Sequence, residues 1–279
     1  MEHVVRTIYG NQLQSALLLG LPYAAPPFTT LNEKLGIQAG VTLAPGKTPV
    51  GQYFAIGNGG HSVTVGADGI SLMTIAQHKA TDAGLFNQIP FVLKEVGDDL
   101  QPSERIKYAL RKELVIGNVT YIAYYLRRIN MVSVGTKLEY RNINADVITT
   151  TDFIPTAANL SPSKTVASNT GVNTLSGDYV TCVSKLPITF TDTEIQYLMD
   201  ACLILFGDVN YAIISEIALC SGSDKTVNIL ASTGNFNFNE AIQVQVVTFI
   251  ASMHIARYCT SGLEKILDVG SNSPLYNIV

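Results

Sequence analysis

The run that follows Gly117, NVTYIAYYLRRINMVSV, constrains the fold more than any other stretch of the chain. It is β-branched and aromatic at successive positions, so an extended backbone presents apolar groups on both faces. Such a strand is covered on both sides, by its own domain or by a partner. The rest of the chain must supply the layers around it.

Further strand signals lie on either side. QYFAIG and SVTVGA flank Asn58-Gly59-Gly60-His61, which predicts a hairpin turn. Ile89–Val96 is a short strand, and KLEYRNINADVITTTDFI alternates like two strands or one long one. YVTCVSKLPITFT predicts a strand pair, VNYAIISEIALCSG a strand ending at a turn, and Val244–Ile250 a strand. Helical signals are fewer. Pro102, Ser103 and Glu104 with Ile106, Leu110 and Leu114 predict a helix over Ser103–Glu113. Thr191 and Glu194 form a capping box that opens a helix over about Asp192–Leu205, stopped at Gly207. A short helix at Asn11–Leu19 precedes Pro22, Pro26 and Pro27.

The expected fold is α+β and β-dominant. It has mostly antiparallel sheets or a sandwich, two or three short helices and an extended N-terminal arm. Residues 1–50 form the arm, which lies across a neighbour or wraps its own domain. A β-rich domain with one helix spans 51–154. Residues 155–178, rich in Ser, Thr, Asn and Ala, read as a linker or long loop. An α+β domain spans 179–279, and its tail SNSPLYNIV is frayed or docked on a partner.

Charge is scarce: 14% of residues carry it, against roughly 25% in an ordinary soluble protein. A thin charged coat fits a surface partly hidden against neighbours. The net charge of −4 argues against nucleic acid. Residues 1–141 hold 13 Lys/Arg and 10 Asp/Glu, while residues 142–279 hold 5 and 12. Halves of opposite sign suit head-to-tail contacts between copies. Cys182, Cys202, Cys220 and Cys259 sit in apolar settings without a CxxC pair and read as small buried hydrophobes. The N-terminal residues show no signal-peptide pattern, and no apolar run reaches membrane-spanning length.

Tests for chemistry come back empty. Gly46-Lys47-Thr48 imitates the end of a phosphate loop, but position 41 is Val and Pro49 follows where a helix should start. His3, His61, His78 and His254 have no metal-ligand spacing, and there is no GxSxG. Asp98-Asp99 precedes a helix start, where acids favour the positive end. No catalytic, cofactor-binding or metal residue is assigned, and no small-molecule substrate is expected. The candidate interface is basic and aromatic: Arg105, Lys107, Arg111 and Lys112 on the short helix, then Tyr121, Tyr124, Tyr125, Arg127 and Arg128 on the strand after it. Arginine and tyrosine are the residue types that carry interface energy.

FAIGNGGH, TDAGLFNQIPFVLKEVGDDLQPSERIKYALRKE, YIAYYLRRI, ISEIALCSG and NEAIQVQV together resemble structural proteins of tailed-bacteriophage virions. The resemblance implies a contractile-tail particle and a subunit of its neck, head–tail junction, tail or baseplate. It further implies a β-rich, ring-forming protein free of cofactors, and it transfers no site residues. The expectation is therefore a non-enzymatic virion protein, assembled in the host bacterial cytoplasm. Its partners are copies of itself and other virion proteins, not a membrane. The rivals are a receptor- or carbohydrate-binding tail module, which the lack of Trp disfavours, and an enzyme with a dispersed site. The enzyme would betray itself by a pocket gathering His61 or His78 with carboxylates.

Overall fold

The computed structural model describes residues 3–65, 68, 71–144, 147–161, 174–231, 234–259 and 262–276. Strand outweighs helix, 51% to 19%, and the described registers are all antiparallel. The fold is β-dominant α+β, as expected, with four α-helices among the described residues where two or three were expected.

The chain opens with β1 (His3–Arg6), α1 (Ile8–Leu19) and α2 (Leu31–Leu35). Six strands and one helix follow: β2 (Val50–Gly57), β3 (His61–Val65), β4 (Ser71–Ile75), β5 (Gln88–Ile89), β6 (Val92–Glu95), α3 (Pro102–Arg105) and β7 (Tyr108–Ile116). Next come β8 (Val119–Arg128), β9 (Thr136–Asn144), β10 (Val147–Asp152) and β11 (Thr174–Phe190). After α4 (Asp192–Phe206), the chain ends in three long strands, β12 (Ile213–Ala231), β13 (Gly234–Ile255) and β14 (Leu263–Tyr276).

Two compact units share these elements, each built from separate stretches of chain. One comprises Met1–Ile129 and Thr189–Leu263, the other Asn130–Ile188 and Glu264–Val279. This division differs from the expected one, in which a linker at 155–178 parts two continuous domains. Residues 162–173 of that linker lie outside the described residues, and 174–178 belong to β11. The charge halves also dissolve. The larger unit holds 13 Lys/Arg against 16 Asp/Glu and the smaller 5 against 6, so both are mildly acidic.

In the larger unit an eight-stranded sheet runs β1-β13-β12-β2-β8-β6, with β5 also on β2 and β7 on β8. Residues Ile122–Arg127 of β8 are buried without a break, which is the two-faced coverage its sequence demands. Phe54, Phe91 and Phe190 pack ring to ring at 5.2–6.0 Å in the core. α4 follows its sequence signals closely. Thr191 accepts from the Glu194 N–H, Glu194 returns to the Thr191 N–H, and Gly207 caps the end at φ 77°.

The N-terminal fifty residues wrap their own unit. β1 pairs with β13. The Thr7 hydroxyl caps α1 and donates to Val246 O at 2.7 Å. Asn32 donates to Ala241 O at 2.8 Å and accepts from the Val244 N–H at 2.8 Å. The side-chain amide thus stands in for a strand partner and pins α2 to β13.

Two local readings are corrected. The helix expected over Ser103–Glu113 stops at Arg105, and Tyr108–Ile116 is strand. Gly117 (φ 61°) opens a two-residue turn that pairs Ile116 with Val119, so the hairpin outweighs a helical spacing three residues deep. The expected hairpin across Asn58–His61 does not form either: β2 pairs with β5, β8 and β12, while β3 pairs with β4. YVTCVSKLPITFT is one strand and not a pair.

The smaller unit is a four-stranded sheet, β10-β9-β11-β14. Its core is thin: Val183, Leu186, Ile188 and Leu267 are buried, while every side chain of β10 is exposed. The tail expected to fray or dock reaches Tyr276 as part of β14, and 277–279 lie outside the described residues.

Candidate functional site

The structure does bring a histidine together with carboxylates. His78 Nδ1 lies 3.0 Å from Asp82 Oδ2, and its Nε2 lies 2.7 Å from Glu216 Oε2. The imidazole is sandwiched between Phe86 and Phe249, with ring centroids 4.0 and 3.7 Å away. Glu216 is sealed inside the sheet. Its Oε1 accepts from the N–H groups of Gly59 and Asn87, and its Oε2 from Phe86 N–H as well as His78. Burial works to raise the Asp82 carboxyl, but the Lys79 N–H and His78 outweigh it and hold the group below its ordinary value.

This arrangement explains Gly57-Asn58-Gly59-Gly60 better than a hairpin turn does. A Cβ at Gly57 would strike the Glu216 carboxylate, and one at Gly59 would sit 2.7 Å from Asn87 N. The glycines are needed because backbone closes around a carboxylate. Both ring nitrogens and both Glu216 oxygens are occupied by partners within the unit. The cluster ties β12 to the loops at 58–60 and 78–87; it is a staple. Its one sequence trace is the four-residue spacing of His78 and Asp82.

The predicted interface residues lie mostly inside the larger unit. Asp99 accepts from the Tyr124 hydroxyl at 2.8 Å and faces Arg105 and Arg111 at 3.3 and 3.7 Å. Both guanidinium groups also lie against the Phe236 ring, at 3.8 and 5.7 Å. Burial, then Asp99, drives the Tyr124 hydroxyl far above its ordinary value. Arg127 pairs with Glu194 at 2.9 Å between the Phe54 and Phe190 rings. Arg128 meets Asp224 at 2.7 Å, and the same carboxylate accepts from Tyr53, whose hydroxyl burial pushes up to about 12. Lys112 donates to Leu35 O at 2.6 Å, Tyr125 is buried, and Tyr121 is half-buried. Of the nine, Lys107 alone is exposed. Arg105, Arg111 and Arg127 thus face Asp99 and Glu194 inside the unit, while Arg128 meets Asp224 at its surface.

The surface that remains open lies in the N-terminal arm, the segment that the sequence offers as lying across a neighbour. Residues 7–32 contain no charged side chain. α1 buries Gly10 and Leu13, yet leaves Leu17, Leu18 and Leu19 exposed, with Leu21 just beyond its cap. A groove of about 510 Å³ runs between the end of this helix and residues 43–48. Phe28, 84% exposed, is held at φ 66°, a conformation a bulky residue rarely adopts. Its N–H donates to Glu33 Oε1 at 2.9 Å, which holds the backbone there.

All four cysteines are free, Cys202 and Cys220 buried and Cys182 and Cys259 half-buried. Among the described residues no cluster of His, Cys, Asp and Glu could hold a metal, and no helix is long and apolar enough to cross a membrane. No curated protein and no solved structure matches the chain. One family model does, over residues 1–278, and the chain thereby belongs to a family of unknown function, DUF7208.

Proposed function

We propose that the chain is a non-enzymatic structural subunit of a tailed-phage virion. It is homo-oligomeric in a ring or layer at the neck, head–tail junction, tail or baseplate, where it joins neighbouring subunits. The observation that carries this reading is the uncharged stretch 7–32, which displays Leu17, Leu18, Leu19, Leu21 and Phe28 on the surface. Large apolar side chains exposed along an uncharged stretch suit a contact with another macromolecule. The closed His78–Glu216 cluster supports the same reading from the opposite side, since it uses its own hydrogen-bonding capacity up. The virion itself comes from the resemblance in the sequence.

Light scattering after size exclusion, with negative-stain imaging of the peak, tests the proposal. A discrete multimer is expected, and Leu18→Asp should lower its mass. A wild-type chain that stays monomeric, with α1 and the Phe28 loop fully protected from hydrogen exchange, would remove the basis for assembly.

A further inference from the structure

Edge strands invite pairing unless charge, proline, bulges or shortness blunts them. In the eight-stranded sheet the edges are blunted. β1 has four residues and ends in Arg6, β6 carries Lys94 and Glu95, and β7 carries Arg111, Lys112 and Glu113. In the smaller unit β14 carries Glu264, Lys265 and Asp268. The opposite edge, β10, reads VITTTD. Five successive residues are β-branched, the lone charge is at the end, and its register with β9 runs without a bulge. Val147 and Ile148 are 64% and 57% exposed. The β3–β4 hairpin is also poor in charge, but a two-stranded ribbon makes a weak template, whereas β10 is backed by three strands.

The hydrogen-bond phase of this edge is fixed. The Phe153 N–H donates to Leu138 O at 2.9 Å, continuing the β9 register. In an antiparallel ladder the pairs alternate. The amides of Thr151, Thr149 and Val147 therefore face β9, and those of Ile148, Thr150 and Asp152 face outward. An incoming antiparallel strand must present its own outward residues to these three. A second β10 does so about a two-fold axis at Thr150, with Thr150 opposite Thr150 and Ile148 opposite Asp152. The two Asp152 carboxylates then stand roughly 14 Å apart along the strands, beyond the Debye length of about 8 Å, so no like charges meet.

We propose that β10 is a self-recognition edge, pairing antiparallel with β10 of a second copy about a two-fold axis at Thr150 to make one continuous eight-stranded sheet. The proposal deepens the assembly reading and rests on it. The pairing adds six main-chain hydrogen bonds across a closed, isologous contact. Its specificity lies in the phase and in the six β-branched and acidic side chains that surround the axis.

The test is the mass of the full chain by light scattering at roughly 100 µM, where a contact of this size is populated. Thr150→Pro removes an outward N–H and leaves the β9 ladder intact, so the mass should fall twofold. Thr150→Lys and Thr150→Glu should each lose the contact alone and regain it when mixed, because the axis places residue 150 against itself. Hydrogen exchange gives a second readout: the amides of Ile148 and Asp152 should be protected in the wild type and exchange freely in Thr150→Pro, with Thr149 and Thr151 unchanged. A multimeric wild type whose mass is unmoved by Thr150→Pro overturns the edge and leaves assembly through other surfaces standing. A wild type that is monomeric at this concentration overturns the edge, and one that is monomeric with α1 and the Phe28 loop fully protected from hydrogen exchange overturns both.

Discussion

His78 Nε2 and Glu216 Oε2 stand 2.7 Å apart across a sequence gap of 138 residues, and both side chains are buried. Glu216 is the acceptor for three backbone N–H groups from two loops as well as for the imidazole. The loops at 58–60 and 78–87 therefore owe their shape to one carboxylate.

Removing that carboxylate should be severe. Glu216→Ala leaves three buried N–H donors and an imidazole without their acceptor, and a loss of about 3–5 kcal/mol is expected. Urea denaturation measures it. A loss under about 1 kcal/mol would show that water or a rearranged loop substitutes for the carboxylate.

A second buried acid gives a pH dependence. Glu240 accepts from the Arg111 N–H at 3.1 Å and from the Leu110 N–H, where Leu110 is held at φ 55°. Burial raises its carboxyl to about 7, against the opposing pull of those N–H groups, Arg111 and Arg128. The folded state therefore favours the protonated form. The stability this contributes is complete below the unfolded value of 4.5 and is lost as pH rises through 7, a change on the order of 3 kcal/mol. Glu240→Gln keeps an acceptor for both N–H groups without the charge. Its stability relative to wild type should rise between pH 5 and pH 8, and parallel stability curves for the two proteins would contradict this account.

Asp99 holds Arg105, Arg111 and the Tyr124 hydroxyl together. Asp99→Ala strands two largely buried guanidinium groups, so a loss of about 3 kcal/mol is expected. Asp99→Asn, which keeps an acceptor for Tyr124, should fall between the variant and wild type. Thermal unfolding in low and high salt separates the charge from the hydrogen bond. Equal loss in both variants would mean that charge is the whole effect.

Phe28 should separate folding from assembly. Its positive φ costs about 1–3 kcal/mol, and its ring gains nothing from burial within the chain. Asn tolerates that conformation. Phe28→Asn is expected to leave stability equal or higher by up to about 1 kcal/mol while weakening self-association. If both fall together, the ring packs within its own unit.

The parts of the fold legible in the sequence are those whose signals are local. α4 shows the contrast best, since Thr191, Glu194 and Gly207 announce its start and its stop within seventeen residues. The two-sided burial of β8 follows equally from its own residues. Asn58–His61 misleads because its glycines answer to Glu216, more than 150 residues away, and not to a neighbouring strand. Ser103–Glu113 misleads because Ile106 and Leu114 share a spacing with Leu110 while the β8 strand next door claims the segment. The basic and aromatic cluster is ambiguous in the same way: residue types suited to an interface are equally suited to a buried ion network once Asp99 and Glu194 are brought to them. Asp99 arrives on the loop after β6 and Glu194 on α4, and a single sequence does not reveal where these pack.

The order in which the smaller unit receives its strands has a consequence for biosynthesis. β9, β10 and β11 emerge from the ribosome about seventy-five residues before β14, because α4, β12 and β13 of the larger unit lie between them. At roughly 5–20 residues per second, that is a pause of about 4–15 s. Throughout it β11 is a bare edge, on a sheet whose core is thin. Nascent chains on neighbouring ribosomes present the same bare edge at the same stage, so the three-stranded intermediate, more than the finished protein, is where mispairing between copies competes with correct closure.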